Sequence, residues 1–577
     1  MAEALHIEGT VENILFRNEA NGYVVLDLDA GGEPITVVGE LGDIDEGECL
    51  SLYGEYITHP RFGPQFQAES CERKLPNTTD SIRRYLSSGV IKGIGKVLAG
   101  KIVDTFGART LEIMENEPMR LMEVRGMSKA KCEEVANEAK HIFALRGVIS
   151  YFENFGIKSR YAMRAFRVWG EKCRDVVELN PYLMCGEEIG MQFQAVESYA
   201  HDLRIPKDAN CRIGAGMVHI LRHNAGAGHT CIPLDRLAPK VCEFLEVNES
   251  AFYAAYQEEL KTETIVEYHK GEREFVYLKE YYRAERYITD RIGVMRDFGG
   301  RNEHDYSTMI SEAERSRGIE YAALQREAIQ SALSRGLLIL TGGPGTGKTT
   351  TLNAIIALYE KQGFRVLIAA PTGRAAKRIS DLTGYDAKTI HRLLEVQFDP
   401  AGGQKFVHNE ENPLECDVLV VDEMSMVDVL LFSNLLRALT LGCKVILVGD
   451  SDQLPSVGAG NLLRHLIDSK CMPVIELKEI FRQAQQSCIV TNAHRIVHGE
   501  MPDLTKKDND FFFFHRLEFP QVSELVLDLV CRRLPNAYQY SPTHDIQVIC
   551  PSRRGTLGVV ELNKALQSRL NPPTAEK

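Results

Sequence analysis

Tryptophan is nearly absent, with one residue in 577, and no apolar run approaches the ~20 residues that cross a bilayer as a helix. The missing run excludes a membrane-spanning helix. Basic residues are also in deficit: 67 Lys and Arg stand against 80 Asp and Glu, for a formal charge of −13. That balance excludes a chain that coats a polyanion by bulk electrostatics and confines any such contact to local patches. The 14 cysteines form no Cys-x-x-Cys pair and no Cys/His cluster at metal-ligand spacing, so neither a disulfide framework nor a zinc site is supported. The first ten residues have no basic region ahead of an apolar stretch. The expectation is a soluble, non-secreted, cytoplasmic protein with reduced thiols and no membrane contact.

What is present is length enough for several modules. Short β-rich runs at 11–15, 23–26, 35–38 and 50–53, with an Asn21-Gly22 turn, predict a small β-barrel. Tyr53, Tyr56, Phe62 and Phe66 would stack on bases if the barrel is of OB type, or pack in its core. From about residue 79 the apolar period becomes helical, interrupted by Ile91-Lys92-Gly93-Ile94-Gly95-Lys96 and Val124-Arg125-Gly126-Met127-Ser128-Lys129. These read as helix-hairpin-helix elements: Gly93, Gly95 and Gly126 let backbone amides approach a DNA phosphate without reading its sequence. A plain helical turn is the alternative.

The chemistry is concentrated further along. The apolar run 336–340 reads as a buried strand leading into Gly342-Gly343-Pro344-Gly345-Thr346-Gly347-Lys348-Thr349 and a helical stretch from Thr350. In that strand–loop–helix setting, the loop of Gly343, Pro344, Gly345, Thr346, Gly347, Lys348, Thr349 and Thr350 is expected to wrap the phosphates of ATP, with every backbone amide but that of Pro344 able to donate. Lys348 would neutralise the β- and γ-phosphates, and the Thr349 hydroxyl would sit on Mg²⁺. A second apolar run, 418–421, ends in Asp422-Glu423. Asp422 would join the Mg²⁺ shell, and Glu423 would orient or deprotonate the attacking water. Runs at 444–448 and 366–370 end in Gly449-Asp450-Ser451-Asp452-Gln453 and Pro371-Thr372-Gly373-Arg374. Gln453 is placed to sense the γ-phosphate. All four loops fall at strand C-termini, the ligand edge of an open α/β sheet.

Together with Ala370-Pro371-Thr372-Gly373-Arg374, Val421-Asp422-Glu423-Met424-Ser425 and Gly449-Asp450-Ser451-Asp452-Gln453-Leu454-Pro455, the phosphate loop resembles the ordered motifs of superfamily 1 helicases. More narrowly, the chain is similar to RecD-like DNA helicases with an extended N-terminal region. Supporting matches are Leu324-Gln325-Arg326, Thr389-Ile390-His391-Arg392, Glu479-Ile480-Phe481-Arg482-Gln483, Ala493-His494-Arg495-Ile496 and Gly228-His229-Thr230.

The resemblance implies that Gln325 recognises adenine, that Arg482 reaches the γ-phosphate from a second motor domain, and that Pro371, Thr372 and His391 line a single-strand track. It implies an ATP- and Mg²⁺-dependent DNA helicase moving 5′-to-3′ on single-stranded DNA, acting on DNA with a 5′ single-stranded tail, in repair or recombination. It implies a multi-domain α/β fold, divided as follows: residues 1–75 an OB-like β-barrel; 76–145 helix-hairpin-helix; 146–204 a second helical or helix-hairpin-helix region; 205–300 a winged-helix-like segment and linker. Residues 301–472 would form a RecA-like P-loop motor domain with an inserted hairpin at about 395–414, and 473–577 an incomplete second RecA-like domain. The family's later motifs do not occur before Lys577. The expectation is therefore a C-terminally truncated helicase, with an ATP-gated DNA-binding module without turnover as the alternative. A P-loop kinase would leave Gln453, Arg482 and the N-terminal hairpins without a role.

Overall fold

The computed structural model describes residues 5–18, 23–31, 34–41, 44, 46–59, 63–74, 76, 78–88, 90–299, 304–398, 404–479, 486–506 and 509–572. The chain divides into two compact units, Met1–Gly342 with Lys348–Leu477, and Gly343–Gly347 with Lys478–Lys577.

The first unit opens with β1 (Leu5–Asn18), β2 (Tyr23–Asp29), β3 (Ile35–Glu40), β4 (Cys49–His59) and β5 (Gly63–Lys74), closed into a barrel in the order β1-β2-β3-β5-β4. Alternation along β2 buries Val24, Leu26 and Leu28 inside while the residues between stay partly exposed. At Gly54 a β-carbon would lie 2.0 Å from the Gln67 carbonyl, so the register shift between Tyr53 and Gly54 requires glycine. Of the stacking candidates, Phe66 is fully buried in the barrel core, the packing alternative, whereas Tyr53 and Tyr56 are exposed. Phe62 and the Asn21-Gly22 turn lie outside the described residues.

Helices Thr79–Ser87, Lys96–Phe106 and Lys129–Glu153 share a core containing Ile82, Leu86, Ile102 and Val135. Lys129–Glu153 is one helix of 25 residues, so the boundary expected at 145/146 falls inside it. Its Arg146 pairs with Glu48, which is 1% exposed in the barrel, and lies over the Tyr85 ring at 4.6 Å. The next two expected modules are also one body. A single core runs from Val148 through Tyr199, Met217 and Leu237 to Leu278, joining the helices to a three-stranded sheet of β6 (Cys231–Pro233), β7 (Ile265–Lys270) and β8 (Arg273–Leu278), in the order β6-β8-β7.

The motor sheet comprises β9 (Leu337–Gly342), β10 (Val366–Ala370), β11 (Ala387–Thr389), β14 (Val418–Val421), β15 (Lys444–Val448) and β16 (Val474–Leu477). The hairpin strands β12 (Val396–Phe398) and β13 (Gln404–Phe406) precede β14; the tip between them, 399–403, lies outside the described residues. The sheet order is β11-β10-β14-β15-β9-β16, and every pair is parallel. Its central strands are buried on both faces, which is why they read as unbroken apolar runs.

Two boundaries move. β16, expected to open the second motor domain, pairs with β9 from Val474↔Ile339 to Leu477↔Gly342 and completes the first sheet. Helix Lys279–Gly299, expected as a connection, places Ala284, Ile288, Ile292 and Met295 in the motor core beside Phe432 and Leu435.

The second unit is helical in its described part, with helices Cys488–Val497, Phe519–Asp528 and Val559–Leu570. Buried Asn492 ties its first helix to Asp503 through two hydrogen bonds of 2.7 and 3.0 Å. Among the described residues, no helix is long and apolar enough to cross a membrane.

Candidate nucleotide-binding site

Strand β9, buried throughout, delivers the glycine-rich loop to the C-terminal edge of the sheet, and helix Lys348–Lys361 leaves from it. Gly345 and Gly347 have φ of 76° and 85°, left-handed values that L side chains rarely adopt, so the loop curls inward only because these positions are glycine. Within the loop, Thr346 is buried and its hydroxyl donates to the Gly343 carbonyl at 2.9 Å. The first amides of the following helix have no intrahelical acceptors, which makes its start an anion site.

The Lys348 ammonium donates to the Gly342 carbonyl. Burial pushes its pKa down, opposed in turn by the carboxylates of Asp450, Glu423 and Asp422. These acids arrive by topology. β15 lies between β14 and β9 in parallel register, so Asp422-Glu423 after β14 and Asp450 after β15 project at the same edge as the phosphate loop. Burial raises the pKa of Asp422, and neighbouring Glu423 raises it further, while its backbone hydrogen bond, Arg378 and Lys348 lower it. Glu423 itself sits at φ 52°, a left-handed conformation unusual for a residue with a side chain, and its Oε1 is 3.7 Å from Nη1 of Arg378. Asp450 is buried; its carboxylate accepts from the Asp452 amide at 3.1 Å and from the Gln453 side-chain amide at 3.5 Å. Gln453 is exposed. The donor set at this edge, the Thr349 hydroxyl with the Asp422 carboxylate, is all oxygen, the chemistry Mg²⁺ takes.

The loop after Gln453 is locked by contact. Ser456 is buried and its hydroxyl donates to the carbonyls of Gly458 and Gly460 at 2.9 and 3.1 Å. The Gly460 amide donates to the Gly228 carbonyl at 3.0 Å, so Gly228-His229-Thr230 docks on the end of the Gln453 loop.

Other expected residues are placed as follows. Gln325 is buried, and its Oε1 accepts from the Ala322 amide at 3.0 Å at the start of helix Ala323–Arg335. Pro371 and Thr372 follow β10; the Thr372 hydroxyl caps helix Gly373–Thr383 by accepting from the Ala375 amide at 3.2 Å. His391 stands in helix Ile390–Leu393, after β11, with its ring centroid 6.1 Å from that of Phe406 on the hairpin. All three therefore lie on the phosphate-loop edge of the sheet. Gly93 and Gly126 have φ of 90° and 103°, but Gly95 does not: at φ −95° it is the N-cap of Lys96–Phe106 in an ordinary extended conformation. Arg482 lies outside the described residues. Two contributors escaped the sequence reading: Asp450, whose acid sits in a motif read for its glutamine, and Arg378, which no spacing singles out.

A parallel sheet with a phosphate loop after β9 and carboxylates after β15, its neighbour, and β14, the next strand along, defines a P-loop nucleotide-binding motor domain. Residues 325–459 match the AAA domain model, 4–76 the OB-fold domain of ATP-dependent DNA helicase YrrC, and 141–231 the HHH domain of ATP-dependent RecD2 DNA helicase. ATP-dependent RecD2 DNA helicase of Deinococcus radiodurans is 30% identical over 602 residues, covering 99% of this chain and 79% of that one. The chain belongs to the family of ATP-dependent RecD2 DNA helicases, and the enzyme class is that of the family. RecBCD enzyme subunit RecD of Mycobacterium tuberculosis is 41% identical over 293 residues, 44% of this chain and 49% of the relative; the chain spans about half the length of such RecD relatives. The Pif1 helicase from Candida albicans aligns at 24% identity over 36% of this chain and 55% of that chain, with a TM-score of 0.25, too low to carry an argument.

Proposed function

We propose that this chain binds ATP with Mg²⁺ at the phosphate loop and hydrolyses it to drive 5′-to-3′ movement along single-stranded DNA and unwinding of duplexes with a 5′ single-stranded tail. The setting is DNA repair or recombination in the cytoplasm. The observation that supports this reading best is the half-buried Lys348 ammonium facing Asp422, Glu423 and Asp450 at one sheet edge. In the proposed step, water attacks the γ-phosphorus as Glu423 accepts its proton, the bond from the γ-phosphorus to the β–γ bridging oxygen breaks, and ADP leaves with the electron pair. Lys348, Thr349 and Asp422 hold the phosphates and Mg²⁺, Gln453 and Arg482 respond to the γ-phosphate, and Gln325 takes the adenine edge. Pro371, Thr372 and His391 carry the strand on the motor, while Gly93, Gly95 and Gly126 meet the DNA backbone at the N-terminal hairpins. The test is ATP hydrolysis with and without single-stranded DNA, using Lys348→Ala as control. Turnover that ignores DNA, or that survives in the variant, removes the proposal.

A second reading is an ATP-gated DNA-binding module without turnover. The regular elements among the described residues of the second unit are helices, with no strand of a second motor sheet. ATP-dependent DNA binding with no phosphate release selects it.

A further inference from the structure

A cavity of about 550 Å³ lies far along the chain from the nucleotide site, where the helices of residues 141–231 meet the helix Glu249–Lys261 and the turn that follows. Its size falls in the range of small-ligand sites, ~300–1,000 Å³. One wall carries part of an aromatic ladder. The Tyr182 and Phe193 rings stack at 5.8 Å, Phe193 and His219 at 5.2 Å, and His219 and Phe244 at 5.7 Å, with interplanar angles of 28°, 22° and 20°. Tyr182, Phe193 and His219 all face the cavity, and Ala215 and Val218 add apolar surface from helix Asn210–Gly226.

The neighbouring helix Glu249–Lys261 supplies an acid. Glu259 lies against the backbone of helix Asn210–Gly226 at Gly214, where a β-carbon would stand 2.0 Å from its Oε1, so the glycine makes room for the carboxyl group. Exposed Arg222 brings positive charge to the same cavity, steadied by a bond from Nη1 to the Cys185 carbonyl at 2.9 Å. An aromatic wall, an acceptor and a guanidinium match the three parts of one ligand class. A planar base meets the edge of the ring stack, whose faces cover one another, its exocyclic amino group donates to the carboxylate, and its phosphate meets the arginine.

We propose that this cavity receives one unstacked nucleotide bearing an exocyclic amine, adenine or cytosine, from a bound DNA strand. The proposal rests on the DNA-binding reading above. Thymine carries no exocyclic amine and presents a carbonyl oxygen where adenine and cytosine present theirs, so it is disfavoured against the Glu259 carboxylate.

The test is fluorescence anisotropy of labelled dA12, dC12 and dT12 on the 577-residue chain without ATP. The expected result is that dA12 and dC12 bind at least ~5-fold tighter than dT12. Glu259→Gln, whose amide both donates and accepts, abolishes that preference. Ala215→Trp, which fills the cavity, brings dA12 and dC12 down to the dT12 level. Equal affinities in the unmodified chain, or a preference unchanged in Glu259→Gln, overturn the proposal while leaving DNA binding intact. No binding of any oligonucleotide overturns both. Competition with dAMP separates the sources: displacement of dA12 by millimolar dAMP, lost in Glu259→Gln, assigns the cavity to free nucleotide rather than to a strand and overturns the strand assignment.

Discussion

Replacing Lys348 with alanine tests the site most directly, and the structure sets the size of the effect. Its ammonium already donates to the Gly342 carbonyl, so ATP gains only the difference between that bond and bonds to phosphate. The donor is charged, so its bond to Gly342 is already charge-assisted, in the class that contributes about 1.5–3 kcal/mol. Trading it for two phosphate bonds of the same class leaves a net loss of one such bond, about 2 kcal/mol, or ~30-fold in Kd. Titration calorimetry of Mg²⁺-ATP into the unmodified chain and the variant reads this directly. Thermal denaturation gives an independent measure: ATP at 100 times the unmodified Kd stabilises by about 2.7 kcal/mol, and the variant falls below ~1 kcal/mol at the same concentration. An affinity within about threefold of the unmodified chain, with an unchanged circular dichroism spectrum, would refute the placement of this lysine on the phosphates.

Asp422 predicts a pH effect. Its folded pKa is raised, chiefly by burial, so the folded state holds this proton at pH values where the unfolded chain has released it. Stability therefore falls as pH rises through the raised value, and Asp422→Asn melts higher than the unmodified chain at pH 7.5 while losing Mg²⁺-dependent ATP binding. A lower melting temperature would contradict the sign. Gly460→Ala places a β-carbon 2.3 Å from Val429 Cγ2 at φ 100° and is expected to cost about 2–4 kcal/mol in urea denaturation; a change under ~0.5 kcal/mol rejects the packing argument. Arg146→Ala strands the Glu48 carboxylate inside the first unit and costs about 3–5 kcal/mol, part of which the Glu48→Gln/Arg146→Ala double variant recovers; no recovery shows that the loss is one of packing alone.

The motor's catalytic edge was legible because buried parallel strands have no polar face to interrupt them. β9, β10, β14 and β15 each read as an apolar run ending in the residue that carries chemistry. The family membership read from those motifs was sound, as was the presence of OB-fold and helix-hairpin-helix modules. Less was legible where several partners share a short element. β16 has four residues, and its place beside β9 depends on pairing across more than a hundred positions of sequence. Helix Lys279–Gly299 hides a buried face of Ala284, Ile288, Ile292 and Met295 under many charges, so composition argued for a linker where spacing argued for a core. Phe66 and Tyr56 are cross-strand partners with ring centroids 5.1 Å apart, yet Phe66 is buried and Tyr56 is exposed, a difference of tertiary cover that neither local sequence shows. Arg378 reaches Glu423 through tertiary packing, for which the sequence holds no local signal.

The burial of helix Lys279–Gly299 in the motor also says where this protein can be cut. An exchange of N-terminal regions between related chains, by recombination or at the bench, would have to leave this helix with its motor, because a breakpoint at residue 300 strips four apolar side chains from the core beside Phe432. The natural joint falls between β8 and Lys279, and chimaeras joined there are expected to stay soluble where those joined at 300 aggregate.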